Sequence, residues 1–231
     1  MAIAAALDLS GREAVFALQD EKTAELLCDA SIPMSGREAS GLLKWILAEL
    51  EKKGILLDSI SSWTVGSGPG SFTGLRLASS LVMGLSWERP GVRVRSLPSA
   101  LAIAAALPEA EEGVRAAVLY DGHRGEVLVF GTMRQGGEWA ATGLATVLTP
   151  DTDARELLKD FDILAALRRD EESIAAALPP DLVPRIRHLE KLRASALLRA
   201  ATGNWTGKLT ELVYIRPAVF VAPRQPRENL V

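Results

Sequence analysis

Three short apolar runs open the chain, and the gaps between them are too short for anything but turns. Residues 2–9, 13–19 and 24–30 are separated by Ser10-Gly11-Arg12 and by the polar stretch around Asp20-Glu21-Lys22. Gaps of that size join antiparallel neighbours, so the three runs predict a β-meander. Beyond residue 35 the period changes. Residues 36–53 have helical spacing, 60–65 read as a strand, 66–71 as a glycine-rich turn, 72–87 as a helix, 92–96 as a strand and 98–107 as a helix. A meander succeeded by alternating helices and strands predicts a mixed sheet covered by helices.

After Pro108 the pattern starts again. Strands are expected at 114–120, 127–131 and 139–148, with short helices at 154–159 and 172–178 in a charged stretch, a helix at 189–201 and a last strand at 212–216. Residues 222–231 read as a loose tail. The restart divides the chain into an N-terminal lobe, 1–107, and a C-terminal lobe, 108–231, with the helix at 189–201 free to pack back on the first lobe. A length of 231 residues supports two such cores.

Composition narrows the function. The net charge of −3 excludes an autonomous nucleic-acid binder of the usual basic kind. Cys28 is the single cysteine, so no internal disulfide can form, which fits a reducing cytoplasm. The apolar start has no basic region and meets Asp8 too early for a signal peptide, and no apolar run is long enough to span a membrane. A cytoplasmic protein is expected.

The segment Gly68-Pro69-Gly70-Ser71-Phe72-Thr73-Gly74-Leu75-Arg76 carries the most information. It joins a strand to a helix, its glycines allow sharp turns about Pro69, and Ser71 is placed to cap the helix. A helix start of this kind favours an anion. Two sharper motifs fail. A P-loop needs Gly-Lys-Ser/Thr, whereas Gly74 is followed by Leu75. A dinucleotide fingerprint counted from Gly66 and Gly68 meets Ser71 where its third glycine belongs, and Arg93 and Arg95 stand where its acid belongs. The residues alone leave a structural turn and a phosphate site about equally open.

This same segment resembles the signature of the TsaB family, also called YeaZ. Further similarities run along the chain: Asp8-Leu9-Ser10 beside the family's Asp-Thr-Ser, Arg37-Glu38-Ala39-Ser40 beside Arg-Glu-His-Ser, residues 121–127 beside Asp-Ala-Arg-x-Gly-Glu-Val, and Tyr214-Ile215-Arg216 beside a closing Tyr-hydrophobe-Arg. Leu9 and Ala39 depart from the pattern. The resemblance implies a two-lobed actin-like, Hsp70-like (ASKHA) α/β fold with mixed sheets and helical cover. It implies a non-catalytic accessory subunit of the complex that makes threonylcarbamoyladenosine on tRNA. The implied partners are the catalytic subunit TsaD, the ATPase TsaE, a second copy of the chain when TsaD is absent, and tRNA through the complex. No stably bound cofactor is implied; ATP or ADP is expected only in the assembled complex, where the glycine loop is a candidate contact. The alternatives are an ATP-binding kinase or transferase of the same fold, or a glycoprotease-like protein.

The residues agree with a non-catalytic role. His123 and His188 are the only histidines and do not form the closely spaced pair that a helix-borne metal site requires. No Gly-x-Ser-x-Gly elbow is present. Asp8, at a strand end, is either a catalytic acid or the cap of a turn.

On the helix at 36–53, Ala39, Leu43, Ile46, Leu47 and Leu50 form one stripe that would cover the sheet. Leu42 and Trp45 widen the apolar arc beyond it, which suggests a second buried face. Because the family docks through first-lobe helices, Leu42, Trp45, Arg76, Ser80 and Met83 are expected at the partner interface. Between Arg185 and Arg227, nine basic residues face only Glu190 and Glu211, a candidate tRNA-facing run.

Overall fold

In the first lobe, Ile3–Asp8 (β1), Glu13–Asp20 (β2) and Leu26–Pro33 (β3) form the expected meander, β1 with β2 and β2 with β3 running antiparallel. The computed structural model describes residues 2–34, 40–108, 110–200, 205, 207, 209 and 211–215. Leu42–Lys52 (α1), Ile60–Gly66 (β4), Phe72–Ser86 (α2), Arg93–Leu97 (β5) and Ser99–Ala105 (α3) come next. β4 lies parallel to β1 and β5 parallel to β4, giving the order β3-β2-β1-β4-β5.

The second lobe repeats this plan. Arg115–Asp121 (β6), Val127–Gln135 (β7) and Glu138–Leu148 (β8) make a second meander, and Ala154–Leu158 (α4), Ile163–Leu167 (β9), Glu171–Ala177 (α5), Ile186–Leu189 (β10) and Ala194–Ala200 (α6) complete it. Its order is β10-β9-β6-β7-β8, again with an antiparallel meander and two parallel additions. Each lobe is therefore β-β-β-α-β-α-β-α, the duplicated plan of the actin-like fold.

The last helix of each half crosses over. α3 packs on the second sheet and α6 on the first, and the two helices pack on one another between the sheets. That middle layer is rich in alanine: Ala100, Ala104, Ala196 and Ala200 are all buried there, so the helices can approach closely. Two outer cores flank it, one around Leu7, Phe16, Ile46 and Trp63 under α1 and α2, the other around Leu119, Val129, Leu158 and Ile174 under α4 and α5. β1 is thus covered on both faces, Ala6 toward the middle layer and Leu7 toward the outer helices, which is why its sequence is an unbroken apolar run.

Several expectations change. Ile186–Leu189 is a strand, so the last helix begins at Ala194 rather than 189. The strand Ile163–Leu167 is buried at every position and lacks the alternation that would reveal it in the sequence. Residues 211–215 are not a strand; Val213 N–H donates to Ser67 O at 2.8 Å. Ala39, Arg37, Glu38, Arg216 and the 222–231 tail lie outside the described residues.

The phase of α1 also differs from the expected one. Leu42, Ile46 and Leu50 face the core, and each such burial contributes about 1.5–3 kcal/mol. Leu43 and Leu47 face outward. A helix apolar on most of its circumference does not declare which stripe faces in.

Candidate functional site

The glycine segment sits at a strand-to-helix junction. β4 ends at Gly66, and Ser71 caps α2, its Oγ accepting the Gly74 N–H at 3.2 Å. Gly68 has φ +100°, a conformation that a side chain would strain, and the Gly68–Pro69 peptide is cis. Ser71 N–H donates to Ser10 O at 2.7 Å, which pulls the loop against the β1–β2 turn. α2 packs so closely that a Cβ on Gly74 would collide with Leu9 O. The segment thus serves first as a joint between β1, β4 and α2.

Asp8 completes the joint. It is buried, accepts the Ser10 N–H at 2.6 Å and accepts the Ser99 hydroxyl. Ser99 Oγ in turn accepts the Gly68 N–H at 3.1 Å. Burial raises the Asp8 pKa above its ordinary value, against the hydrogen bonds from Ser10 and Ser99 that lower it. A carboxylate committed to a turn, a helix start and the glycine loop is a structural bracket. Among the described residues no group of three or more His, Cys, Asp or Glu is placed to hold a metal ion. His123 is exposed and pairs with Asp121, while His188 lies beside Glu171.

Residues 37–153, about half of the chain, match the family model of TsaD, tRNA N6-adenosine threonylcarbamoyltransferase. The chain belongs to the TsaD family. Two solved structures share its fold. One, a Pseudomonas aeruginosa protein described as similar to the peptidase YEAZ, is 23% identical, with 94% of this chain and 100% of that chain covered and a TM-score of 0.70. The other, YeaZ from Pseudomonas aeruginosa, is 22% identical, with 87% and 90% covered and a TM-score of 0.64. No curated protein matches the chain by sequence.

In this TsaD-family chain the outer face of the first lobe collects exposed apolar side chains. On α2 the exposed residues Phe72, Arg76, Ser80 and Met83 recur at helical spacing, and the stripe ends on Trp87, which is 72% exposed. Arg76, Ser80 and Met83 are therefore accessible, as the interface expectation requires. Leu42 is not: it is 1% exposed and packed in the outer core. Trp45 is half-buried, with its ring set edge-on to Phe16 at 6.2 Å. The apolar side chains that α1 leaves exposed are instead Leu43 and Leu47.

Sequence reasoning missed one arrangement entirely. The Arg76 guanidinium lies 3.6 Å over the Phe72 ring and donates to Tyr214 Oη at 3.3 Å, and the Phe72 and Tyr214 rings are 5.0 Å apart. Two motifs of the resemblance, far apart in sequence, thus form one clasp that holds the C-terminal segment over the start of α2. The basic run is partly engaged within the chain. Arg185 donates to Phe161 O, Lys191 to Ser31, and Arg193 pairs with Asp29.

Proposed function

We propose that this chain is a non-catalytic partner subunit of the machinery that makes threonylcarbamoyladenosine on tRNA, and that it docks the catalytic TsaD subunit through the outer face of its first lobe. One observation carries the reading. Among the described residues, the large apolar side chains that are exposed, such as Leu43, Leu47, Leu56, Met83 and Trp87, all come from the first lobe or, as Tyr214, from the segment clasped to it. Apart from Tyr214, the second lobe exposes none of them among its described residues. Apolar exposure concentrated on one lobe is the mark of a protein contact rather than of random surface variation.

The role of Asp8 supports the same reading, since its carboxylate is already committed to the joint. In this reading TsaE joins the assembly in the cytoplasm, a second copy covers the same face when TsaD is absent, and the glycine loop meets a nucleotide only within the complex. Omission from a reconstituted reaction tests the role. With TsaD, TsaE, an adenylate donor and tRNA present, leaving this chain out should abolish modification. Modification by this chain without TsaD would overturn the proposal.

A further inference from the structure

The C-terminal segment follows the β5 edge of the first sheet before it reaches α2. Trp205 lies under the Arg93 and Arg95 guanidiniums, 4.6 and 4.0 Å from its ring, and the Gly207 N–H donates to Val94 O at 3.1 Å. Leu209 is buried in the outer core, Val213 is bonded to Ser67, and Tyr214 is clasped to Phe72 and Arg76. The chain is therefore handed to the first turns of α2, at the head of its exposed stripe.

Two apolar surfaces meet at that point. Arg76 is the only charged residue of α2, and the clasp already holds it. Beyond it the outer face carries Ser80, Met83, Gly84 and Trp87, all exposed and none charged. On the chain's side, Ile215-Arg216 leads into Pro217-Ala218-Val219-Phe220-Val221-Ala222-Pro223, a run that is also without charge. Laid out extended at about 3.3 Å per residue, 217–221 would span about 16 Å. From Arg76 to its cap residue Trp87, α2 also rises about 16 Å. Exposed apolar surface of this extent calls for a cover, and the chain carries one of matching length and character.

We propose that residues 217–221 lie along the exposed stripe of α2 in the free monomer, with Val219 and Phe220 against Met83 and Trp87. The clasp tethers the run beside the stripe at an effective concentration on the order of 1 mM, so a weak apolar contact suffices. A tethered cover of this kind must be displaced before TsaD, or a second copy, can use the face. It sets the fraction of the chain that is competent to dock, and a partner's apparent affinity falls with that fraction. This consequence, unlike the contact itself, rests on the docking reading above.

The full chain and its Val219→Asp, Phe220→Asp variant test this with two readouts. In NMR spectra with labelled methionine methyls, taken across a dilution series, the Met83 methyl should shift between parent and variant. In the parent it should also show cross-relaxation with the Phe220 ring. The Met34 methyl, buried in the outer core, should not shift and so reports an intact fold. Affinity for TsaD should rise about 3- to 10-fold in the variant. A Met83 methyl identical in the two chains would overturn the proposal. So would one whose position follows protein concentration, which would make a second copy the occupant. Unchanged TsaD affinity in the variant would also overturn it, and weaker affinity would make the tail part of the TsaD contact instead. If neither chain binds TsaD, the docking reading fails and the methyl readout alone decides the tail.

Discussion

Replacing Asp8 by alanine separates a structural bracket from a catalytic acid. The substitution strands the Ser10 N–H and the Ser99 hydroxyl, both buried partners of the carboxylate. Hydrogen bonds to a charged acceptor contribute about 1.5–3 kcal/mol each. Relief from burying the carboxylate offsets part of that loss, leaving a net destabilisation of about 2–4 kcal/mol. For a chain of this length that lowers Tm by roughly 5–12 °C. Chemical and thermal denaturation of Asp8→Ala, Ser99→Ala and the double variant should show coupling of about 1–2 kcal/mol, because the two residues share one network.

The pH dependence adds a second readout. Burial raises the folded pKa of Asp8 above its ordinary value of 3.8, so its contribution is fully present below that value and is lost as pH rises through the folded pKa. Asp8→Asn stays uncharged throughout. Its deficit relative to the parent should therefore be largest in acid and shrink as pH rises. An Asp8→Ala variant of parental stability that nevertheless abolishes tRNA modification in the reconstituted complex would refute the bracket and make Asp8 catalytic.

Three further substitutions test the joint and its surroundings. Gly74→Ala sets a Cβ against the Leu9 carbonyl, a backbone atom that cannot swing away, and should cost about 2–3 kcal/mol by urea denaturation. Arg76→Ala removes the cation over Phe72 and the bond to Tyr214; it should cost about 0.5–1 kcal/mol and speed amide exchange at residues 211–215. Trp45→Glu drives a charge against Phe16 and should lower stability by about 2–3 kcal/mol, so a loss of binding in that variant would report unfolding.

How much of the fold is legible in the sequence depends on how local each signal is. The meander, the restart after Pro108 and the Ser71 cap rest on neighbouring residues, and the turns and capping oxygen are visible in one dimension. The strand Ile163–Leu167 hides because both its faces are buried, which erases alternation. Ile186–Leu189 merges into the helix beyond it because four residues carry too little period. The phase of α1 is ambiguous for the opposite reason: Leu42, Leu43, Trp45, Ile46 and Leu47 offer apolar groups on most sides, and only the sheet decides which are covered. The Phe72–Arg76–Tyr214 clasp joins residues from distant parts of the chain, so no local pattern could announce it.

The affinity of the intact chain for the catalytic TsaD subunit, compared with that of a Met83→Glu, Trp87→Glu variant, tests the docking claim most directly. Both side chains project from the exposed stripe of α2 and neither belongs to the buried core, so Tm should stay within about 2 °C of the parent. Charges at the centre of an apolar contact should weaken binding by roughly 30-fold or more. Unchanged affinity in a folded variant would place the TsaD contact elsewhere and contradict the docking claim.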